Sequence, residues 1–433
     1  MTSTIKVNTI TTASGSTLTL GESGKTVTIA SGASTSGMGR TGTVDWQTSI
    51  KTSTITAVNG EGYFVNTTGG AITANLPAGS VGSIVAFKDY AQTFDTNALT
   101  ISANGSEKIE GLTTDLILST EGIATTLVYG DTTKGWQAVN SNEVVNVVSF
   151  VSGSGGTVST SGDFKIHTFT GPGTFTVSCA GSAGGSNSVD YLVVAGGGSG
   201  AWDGGGGAGS GGYRFSNGTA SGSYTAGPSP LGASALPVSA QGYPVTIGAG
   251  GAAITSSTSA NPGANSIFSS ITSTGGGKGG NPGQAAGNGG SGGGIRKASG
   301  AGSGNTPPVS PPQGNNGNTG PGNGGGGGGA GAVGVVGAGP PGQGGAGGAG
   351  LVSCITASPV ARGGGGGGGN DNPGPAPAGG SGGGGAGGNR PNANAAGSGT
   401  ANTGGGGGGA GVPGSNGTGA GGSGIVIIRY KFQ

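Results

Sequence analysis

The chain has 433 residues, of which 113 are glycine, 31% are hydrophobic and 7% are charged, with a net charge of +1. So few apolar residues exclude a hydrophobic core that runs the length of the chain. No segment approaches the ~20 apolar residues of a membrane helix, so we expect no membrane insertion. The first residues lack the apolar stretch that a secretory signal contains, so we expect no secretory signal there. Two cysteines, Cys179 and Cys354, are too few for a disulfide framework. They could form one bridge, but we favour free thiols.

Charge is divided unevenly along the chain. Residues 1–200 hold 8 basic and 13 acidic residues, a net charge of −5. Residues 201–433 hold 8 basic and 2 acidic residues, a net charge of +6. The basic residues of this second part are scattered, and none forms a cluster larger than the pair Arg296-Lys297. We therefore expect no nucleic-acid partner, because such a partner requires basic residues concentrated on one face.

Residues 1–45 consist of short β segments separated by Ser, Gly and Thr turns. Alternation of apolar and polar residues predicts strands at 4–11, 16–20 and 25–30. A segment of this size buries too little surface to fold alone. We interpret it as an N-terminal β segment for attachment or trimerisation.

Residues 46–143 are denser in Thr, Val and Ile, and turn residues recur every 8–12 positions. This pattern is typical of a β-sandwich or barrel domain. The predicted strands are 63–66, 71–76, 84–89, 99–101, 115–119, 124–129 and 135–139.

Residues 144–200 form a further β domain that leads into the glycine-rich region. The sequence Gly171-Pro172-Gly173 lies between two apolar β segments, 164–169 and 174–177, and predicts a hairpin. The buried-strand pattern at 191–195 has a counterpart at 425–429, near the C-terminus. We predict that these two strands are neighbours, with 425–433 closing the domain and residues 201–424 inserted between them.

Residues 201–424 contain unbroken glycine runs at 324–329, 363–369 and 404–409. One interpretation is a flexible linker, since ordering glycine costs more backbone entropy than ordering any other residue. The other is a sandwich of extended strands with the geometry of polyproline II, three residues per turn and about 3.1 Å per residue. We favour the ordered sandwich, because the runs recur with similar lengths and a buried strand follows them. The predicted fold is therefore all-β with no significant helix.

Several motifs together resemble virion proteins of marine tailed phages. Residues 5–10 (IKVNTI) and 14–19 (SGSTLT) resemble the start of such proteins. Residues 60–65 (GEGYFV), 84–90 (IVAFKDY) and 131–136 (DTTKGW) are similar to a β domain of phage tail fibres. Residues 191–198 (YLVVAGGG) and 424–430 (GIVIIRY) resemble the edges of the glycine-rich tip domain of phage fibres. The resemblance implies a host-recognition fibre whose tip has stacked polyglycine strands and variable receptor-binding loops.

Candidate catalytic and metal-binding residues are sparse. The single histidine, His167, lies near Asp163, but without a nucleophile elbow we expect a packed or surface strand residue. Glu107 and Glu110 could act as a glycosidase pair, although a solvated β edge is the simpler interpretation. The oxygens of residues 370–372 could bind calcium, although a polar turn is the simpler interpretation. We therefore predict no enzyme activity, no metal and no cofactor.

The candidate receptor-binding residues are the aromatic, Arg, Lys, Asn and Asp side chains between the glycine clusters, because such residues suit stacking and polar contacts with glycans or protein surfaces. They are Trp202, Tyr213, Arg214, Arg296, Lys297, Arg362, Asn370, Asp371, Asn372, Arg390, Asn392 and Asn394.

From these observations we expect a homotrimeric phage tail fibre that binds a bacterial surface glycan or outer-membrane protein. It would be made in the host cytoplasm, sit in the virion tail, and contact other tail or virion proteins through its N-terminal segment. Three alternatives remain open at this point. They are a structural or decoration fibre without receptor binding, an ice-binding protein with a flat three-residue repeat, and a polysaccharide depolymerase.

Overall fold

The structure is a computed structural model that describes residues 44–139, 149–182, 185–222, 224–227, 232–297, 299–339, 341–390, 395–411 and 417–433. These residues form an all-β protein, as the sequence predicted, and their one helical element is a short 3₁₀ turn at Thr219–Ser221. The strands predicted at 4–11, 16–20 and 25–30 lie outside the described residues.

Residues 44–139, here called the proximal domain, form nine strands in two sheets. One sheet has the order β1-β3-β5-β8-β9 and the other the order β2-β4-β6-β7. The strands are β1 (Asp45–Lys51), β2 (Ile55–Thr56), β3 (Glu61–Val65), β4 (Ile72–Asn75), β5 (Ile84–Asp89), β6 (Leu99–Ser102), β7 (Leu116–Leu118), β8 (Ala124–Asp131) and β9 (Gly135–Ala138).

The strands of the proximal domain wind between its two sheets. From β1 to β6 each strand lies in the opposite sheet from the one before, so strands two apart in sequence pair in parallel. Turn spacing predicted a sandwich or a barrel, and the described residues form two sheets. It could not reveal this winding, because a tight turn and a turn between sheets use the same residues. The predicted strand at 84–89 has the bounds of β5.

One continuous apolar core fills the space between the two sheets. It is built from alternate residues of β2 to β9, and Phe87, Leu99, Leu127 and Trp136 are fully buried. Alternation follows from strand geometry, which turns successive side chains to opposite faces. This domain is therefore stabilised mainly by burial of side chains.

Glu107 and Glu110 are not a solvated edge. The Glu107 carboxylate accepts hydrogen bonds from the Gly79 amide (2.9 Å) and the Trp136 indole (3.3 Å). The Glu110 carboxylate accepts from the Ala138 amide (2.7 Å). Both side chains hold the end of the proximal domain together.

Ten of the remaining thirteen strands form a two-layer sandwich, to which residues 149–182 and the C-terminus contribute together with parts of 185–273. One sheet has the order β10-β13-β17-β18-β19, the other β11-β12-β22-β14-β15. Of the other three strands, Leu236–Pro237 pairs with one strand of the sandwich, and Leu351–Ser353 and Val360–Arg362 pair with each other in a separate sheet. The strands are β10 (Val151–Ser154), β11 (Thr157–Ser161), β12 (Phe164–Phe169), β13 (Gly173–Ala180), β14 (Ser188–Val194), β15 (Tyr213–Phe215), β16 (Leu236–Pro237), β17 (Gly242–Thr246), β18 (Ser266–Phe268), β19 (Ile271–Ser273), β20 (Leu351–Ser353), β21 (Val360–Arg362) and β22 (Ile425–Lys431).

The predicted hairpin around Gly171-Pro172-Gly173 is wrong. β12 pairs with β11 and β22, whereas β13 pairs with β10 and β17 in the other sheet. The turn therefore carries the chain from one layer to the other. Phe169 and Phe175, on either side of it, point into the same core between the layers.

The predicted pairing of the two terminal strands of the sandwich is confirmed. β14 and β22 are antiparallel neighbours, with Tyr191 opposite Ile428 and Val194 opposite Ile425. Both faces of this pair are buried, which explains their unbroken apolar sequences. The glycine-rich residues between them thus start and finish at adjacent points.

The predicted division at residue 200 separates residues that share a sheet. β15, β17, β18 and β19 come from the segment 201–424, yet they pair with strands on either side of the division. The boundary at residue 200 was predicted from the change to a glycine-rich composition at that point. The fold instead returns to the sandwich whenever a short apolar segment interrupts the glycine-rich sequence.

Candidate functional site

The glycine-rich residues from 195 to 424 outside these strands, here called the glycine block, follow a three-residue hydrogen-bond period. Three consecutive amides of the run 363–369 donate to three different segments: Gly365 to Gly348, Gly366 to Ala208 and Gly367 to Gly385, each at 2.9 Å. The next three return to the same segments: Gly368 to Gly345 (2.8 Å), Gly369 to Gly205 (2.7 Å) and Asn370 to Gly388 (2.9 Å). This period is that of an extended helix with three residues per turn.

Carbonyl groups of the same run accept from three further segments. The donors to Gly365, Gly366 and Gly367 are the amides of Gly380 (2.8 Å), Gly327 (2.9 Å) and Gly409 (2.9 Å). One glycine strand therefore touches six neighbours and satisfies its backbone in every direction. This saturation excludes the flexible-linker interpretation for the described runs.

Close approach of backbones is what requires glycine in the runs. A Cβ added to Gly366 would lie 2.1 Å from the carbonyl oxygen of Gly407 and 3.1 Å from the amide of Ala208. Both contacts are with backbone atoms, which cannot rotate away as a flexible side chain can. The runs are therefore rigid struts with no room for a side chain.

The glycine block has two ends. At the sandwich end, Ala195 follows β14 and its amide donates to Gly212, while Gly211 donates to Gly404. At the other end, Gly369 donates to Gly205 and Gly388 donates to Gly409. Six glycines span roughly 20 Å in this geometry, so the second end projects away from the sandwich.

The turns at this second end form the distal tip, which we define as residues 202–204, 281–284, 296–297, 321–323, 371–375 and 389–390. At its centre Arg296 links three turns. Its guanidinium donates to the carbonyl of Gly322 (2.8 Å), the carbonyl of Asp203 (2.9 Å) and the carboxylate of Asp371 (2.9 Å). Residues far apart in sequence thus meet at one point.

Asp371 is shared between two cations. One carboxylate oxygen accepts from Arg296, and the other lies 3.5 Å from the guanidinium of Arg390. The Asp371 amide donates to the Asn323 side chain (2.7 Å), which fixes the turn. The Arg390 side chain is 56% exposed, so one of the two cations remains open to solvent.

Two buried amide side chains lie beneath the turn that carries Asp371. Asn370 is 0% exposed and Asn389 is 7% exposed. The Asn370 Nδ2 and the Asn389 Oδ1 have no hydrogen-bond partner within the described part of the chain. An unpaired buried donor or acceptor costs about 1–3 kcal/mol, so each of these atoms would gain from a polar partner.

Seven of the twelve predicted site residues lie at or next to the distal tip. They are Trp202, Arg296, Lys297, Asn370, Asp371, Asn372 and Arg390. The structure joins Arg296, Asp371 and Arg390 directly, and Lys297 is exposed beside them. Asn392 and Asn394 fall outside the described residues.

The expectation of loop positions is wrong for three residues. Tyr213 and Arg214 lie in β15, and Arg362 lies in β21, all at the sandwich end of the glycine block. Tyr213 and Arg362 are buried, and burial lowers the pKa of the Arg362 guanidinium. A short apolar strand within a glycine-rich sequence resembles a loop because its β pattern is only three residues long.

Sequence reasoning missed Asp203, Asn323 and Asn389 as tip residues. Asp203 could have been selected from the sequence, because Asp203 and Asp371 are the two acidic residues that follow residue 200. Both now pair with Arg296, at 3.6 and 2.9 Å. The two asparagines had no signal that separated them from other asparagines in turns.

The remaining candidates for chemistry have structural roles. His167 is buried, and its ring nitrogens bind the Gly155 carbonyl (2.7 Å) and the Tyr430 hydroxyl (3.0 Å). Burial lowers the pKa of its imidazole. Across the described ranges, no group of three His, Cys, Asp or Glu side chains could hold a metal ion. Cys179 and Cys354 are free thiols.

Comparison with known proteins agrees with the architecture of the sandwich and glycine block. No helix in the described residues is long and apolar enough to cross a membrane. No curated protein matches the chain. A family model described as a glycine-rich domain matches residues 168–431, which is more than half of the chain. The chain therefore belongs to this glycine-rich domain family.

Proposed function

We propose that the protein is a tail fibre of a bacteriophage that adheres to a receptor on the bacterial surface through its distal tip. In this proposal the protein acts without catalysis, and it resides in the virion tail. The receptor is a surface glycan or an outer-membrane protein. The motifs at the edges of the β domains, which resemble phage fibre proteins, support the fibre assignment.

The observation that carries the proposal is the geometry of the glycine block. Its struts collect turns that are up to about 190 residues apart in sequence at one end. The turns of the tip carry one aromatic residue and five charged residues, whereas the struts carry almost no side chains. A rigid scaffold that presents turns of variable sequence is the general plan of a recognition surface.

We further propose that the fibre is a homotrimer assembled through its proximal part. Among the described residues β1 is the edge strand of its sheet, is exposed on both faces, and leaves Trp46 and Ile50 about 40% exposed. An open edge with apolar side chains favours pairing with another chain. Light scattering on purified protein should give about three times the chain mass of 39.7 kDa, and a monomer at micromolar concentration would contradict the trimer.

Adhesion is tested with the labelled full chain on a panel of bacterial strains. A tip variant would replace Trp202, Lys297 and Arg390 with Ser, and Arg214→Ser at the sandwich end would be its control. We expect the tip variant to adsorb at least tenfold less than the wild-type protein, with unchanged resistance to protease. Full adsorption by the folded tip variant would place recognition elsewhere, and wild-type protein that adsorbs to no strain would favour a structural fibre.

A further inference from the structure

We propose that the distal tip binds a saccharide bearing a carboxylate group, and that the guanidinium of Arg390 holds this carboxylate. The inference rests on the proposed adhesive function and names the chemical class of its receptor. It follows from how the charges and the unpaired amides of the tip are distributed.

Arg296 is not the binding cation, because its donors are already used. Its Nε, Nη1 and Nη2 atoms each donate to a different turn of the tip at 2.8–2.9 Å. Its side chain is 19% exposed. Arg296 is therefore a support that holds the turns in register.

The guanidinium of Arg390 has N–H groups that donate no hydrogen bond within the described part of the chain. Its described ion pair is a 3.5 Å approach to Asp371, whose other oxygen is already bound by Arg296 at 2.9 Å. The tip thus has two acidic residues, Asp203 and Asp371, for three basic residues, Arg296, Lys297 and Arg390. A carboxylate from a ligand would balance this charge, and the planar guanidinium fork matches a carboxylate in a bidentate manner.

The unpaired amides provide a second, neutral contact. Asn389 donates its Nδ2 to the Gly374 carbonyl, and Asn370 Nδ2 lies 3.8 Å from where a Cβ on Gly374 would be. Gly374 is partly exposed, and the exposed Gln343 side chain lies nearer still to this Cβ position, with its Nε2 3.1 Å away, so Gln343 lines the same spot on the solvent side. The vacant Asn370 donor and Asn389 acceptor together match a hydroxyl group, which both accepts and donates.

A uronic-acid residue offers both features within one sugar ring. Its carboxylate suits Arg390, and its hydroxyl groups suit the two asparagines next to Asp371 and Arg390 in sequence. A neutral hexose offers hydroxyl groups alone and leaves the guanidinium with only its 3.5 Å approach to Asp371. The tip should therefore distinguish a uronic acid from the hexose of the same stereochemistry.

The experiment measures binding of the full chain to four immobilised saccharide conjugates by biolayer interferometry. Glucuronic and galacturonic acid are compared with glucose and galactose, from which they differ by the carboxylate alone. We expect binding to at least one acid and at least tenfold weaker binding to its neutral partner. Arg390→Gln should weaken acid binding about tenfold or more, Arg390→Lys should retain part of it, and the control Arg214→Gln should leave it unchanged.

Two results would overturn the inference while leaving adhesion intact. One is wild-type protein that adsorbs to cells but binds no uronic acid, which would point to a protein or neutral-glycan receptor. The other is Arg390→Gln protein that binds the acids as the wild-type protein does. Binding of uronic acids without adsorption to any strain would instead support the carboxylate site and refute the adhesive function.

Discussion

The proximal domain and the glycine block reach a rigid structure by opposite means. The proximal domain buries large side chains, among them Phe87, Leu99 and Trp136, between two sheets. The glycine block buries backbone against backbone, and one glycine strand can hydrogen bond to six neighbouring segments. In the proximal domain, burial of apolar side chains offsets the conformational entropy that the chain loses on folding. In the glycine block, saturated backbone hydrogen bonds and close packing of backbones offset that loss.

This difference changes what each region tolerates. An apolar core accepts a different side chain of similar volume, because neighbouring rotamers adjust. A glycine strand accepts no side chain at all where backbones touch, because its neighbours are backbone atoms. The following experiments test this contrast, beginning with the largest expected effect.

The largest effect should come from Gly366→Val. The added Cβ would lie 2.1 Å from the Gly407 carbonyl oxygen, so we expect a loss of more than about 3 kcal/mol, above the usual range for overpacked cores. Protease resistance of residues 201–433 and the melting transition of the sandwich and block should both fall.

The matched control for this change is Gly171→Ala in the turn between β12 and β13. No atom lies within 4 Å of the position of its Cβ, so stability should stay within about 0.5 kcal/mol of the wild-type value. A Gly366→Val protein as resistant to protease as this control would show that the runs behave as linkers.

A smaller and local effect should come from Arg296→Met. The change removes three hydrogen bonds that join the turns of the tip, and we expect a local loss of about 2–3 kcal/mol. Hydrogen exchange at residues 202–204, 321–323 and 371–375 should accelerate, while β14 and β22 stay protected. Unchanged exchange in these turns would mean that the struts alone hold them.

Acid should weaken the sandwich through His167. Burial lowers the pKa of the imidazole below its ordinary value of about 6.5, so the unfolded chain binds a proton more readily than the folded one. The stability due to neutral His167 is complete above about pH 6.5 and is lost as pH falls below it, by at most about 1.4 kcal/mol per pH unit. Denaturant midpoints measured from pH 7.5 to 5 should show this slope, which His167→Gln should reduce.

The smallest effect should come from Leu127→Met in the proximal domain. Leu127 is fully buried, but this swap nearly conserves volume and should cost less than about 1.5 kcal/mol. Leu127→Ala at the same position should cost about 2–5 kcal/mol, since it leaves a cavity. Urea denaturation of both proteins provides the comparison, and a severe Leu127→Met defect would show that this core is as intolerant as the glycine runs.

The sequence allowed the main plan of the sandwich and block to be predicted. Recurring runs of six or seven glycines indicated order, and the matching apolar segments at 191–195 and 425–429 indicated the strand pair β14 and β22. The partners of each glycine could not be predicted, since identical residues leave the register unmarked. The turn at residues 171–173 was assigned to a hairpin because nothing local distinguishes a hairpin from a crossing between layers.

The tip was predicted only in part, for a related reason. Aromatic, charged and Asn residues between the runs were sound candidates, and seven of the twelve lie at or next to the tip. Which of these residues meet depends on the end of the block that each turn occupies. Successive turns lie at opposite ends, because each strut crosses the block once. Arg362 and Tyr213 were misplaced because a turn and a short strand at the sandwich end have similar composition.

The three-residue period of the struts has a genetic consequence. Removing one codon from a glycine run would rotate the later amides of that run by about a third of a turn. Those amides would then no longer point at the carbonyl groups of their neighbouring struts. Removing three codons from a run and from the strut that follows would shorten both by about 9 Å and leave each bond direction as before. Length variants of this tip that persist in nature should therefore differ by multiples of three codons per strut, whereas the turns between struts are free to change by single codons.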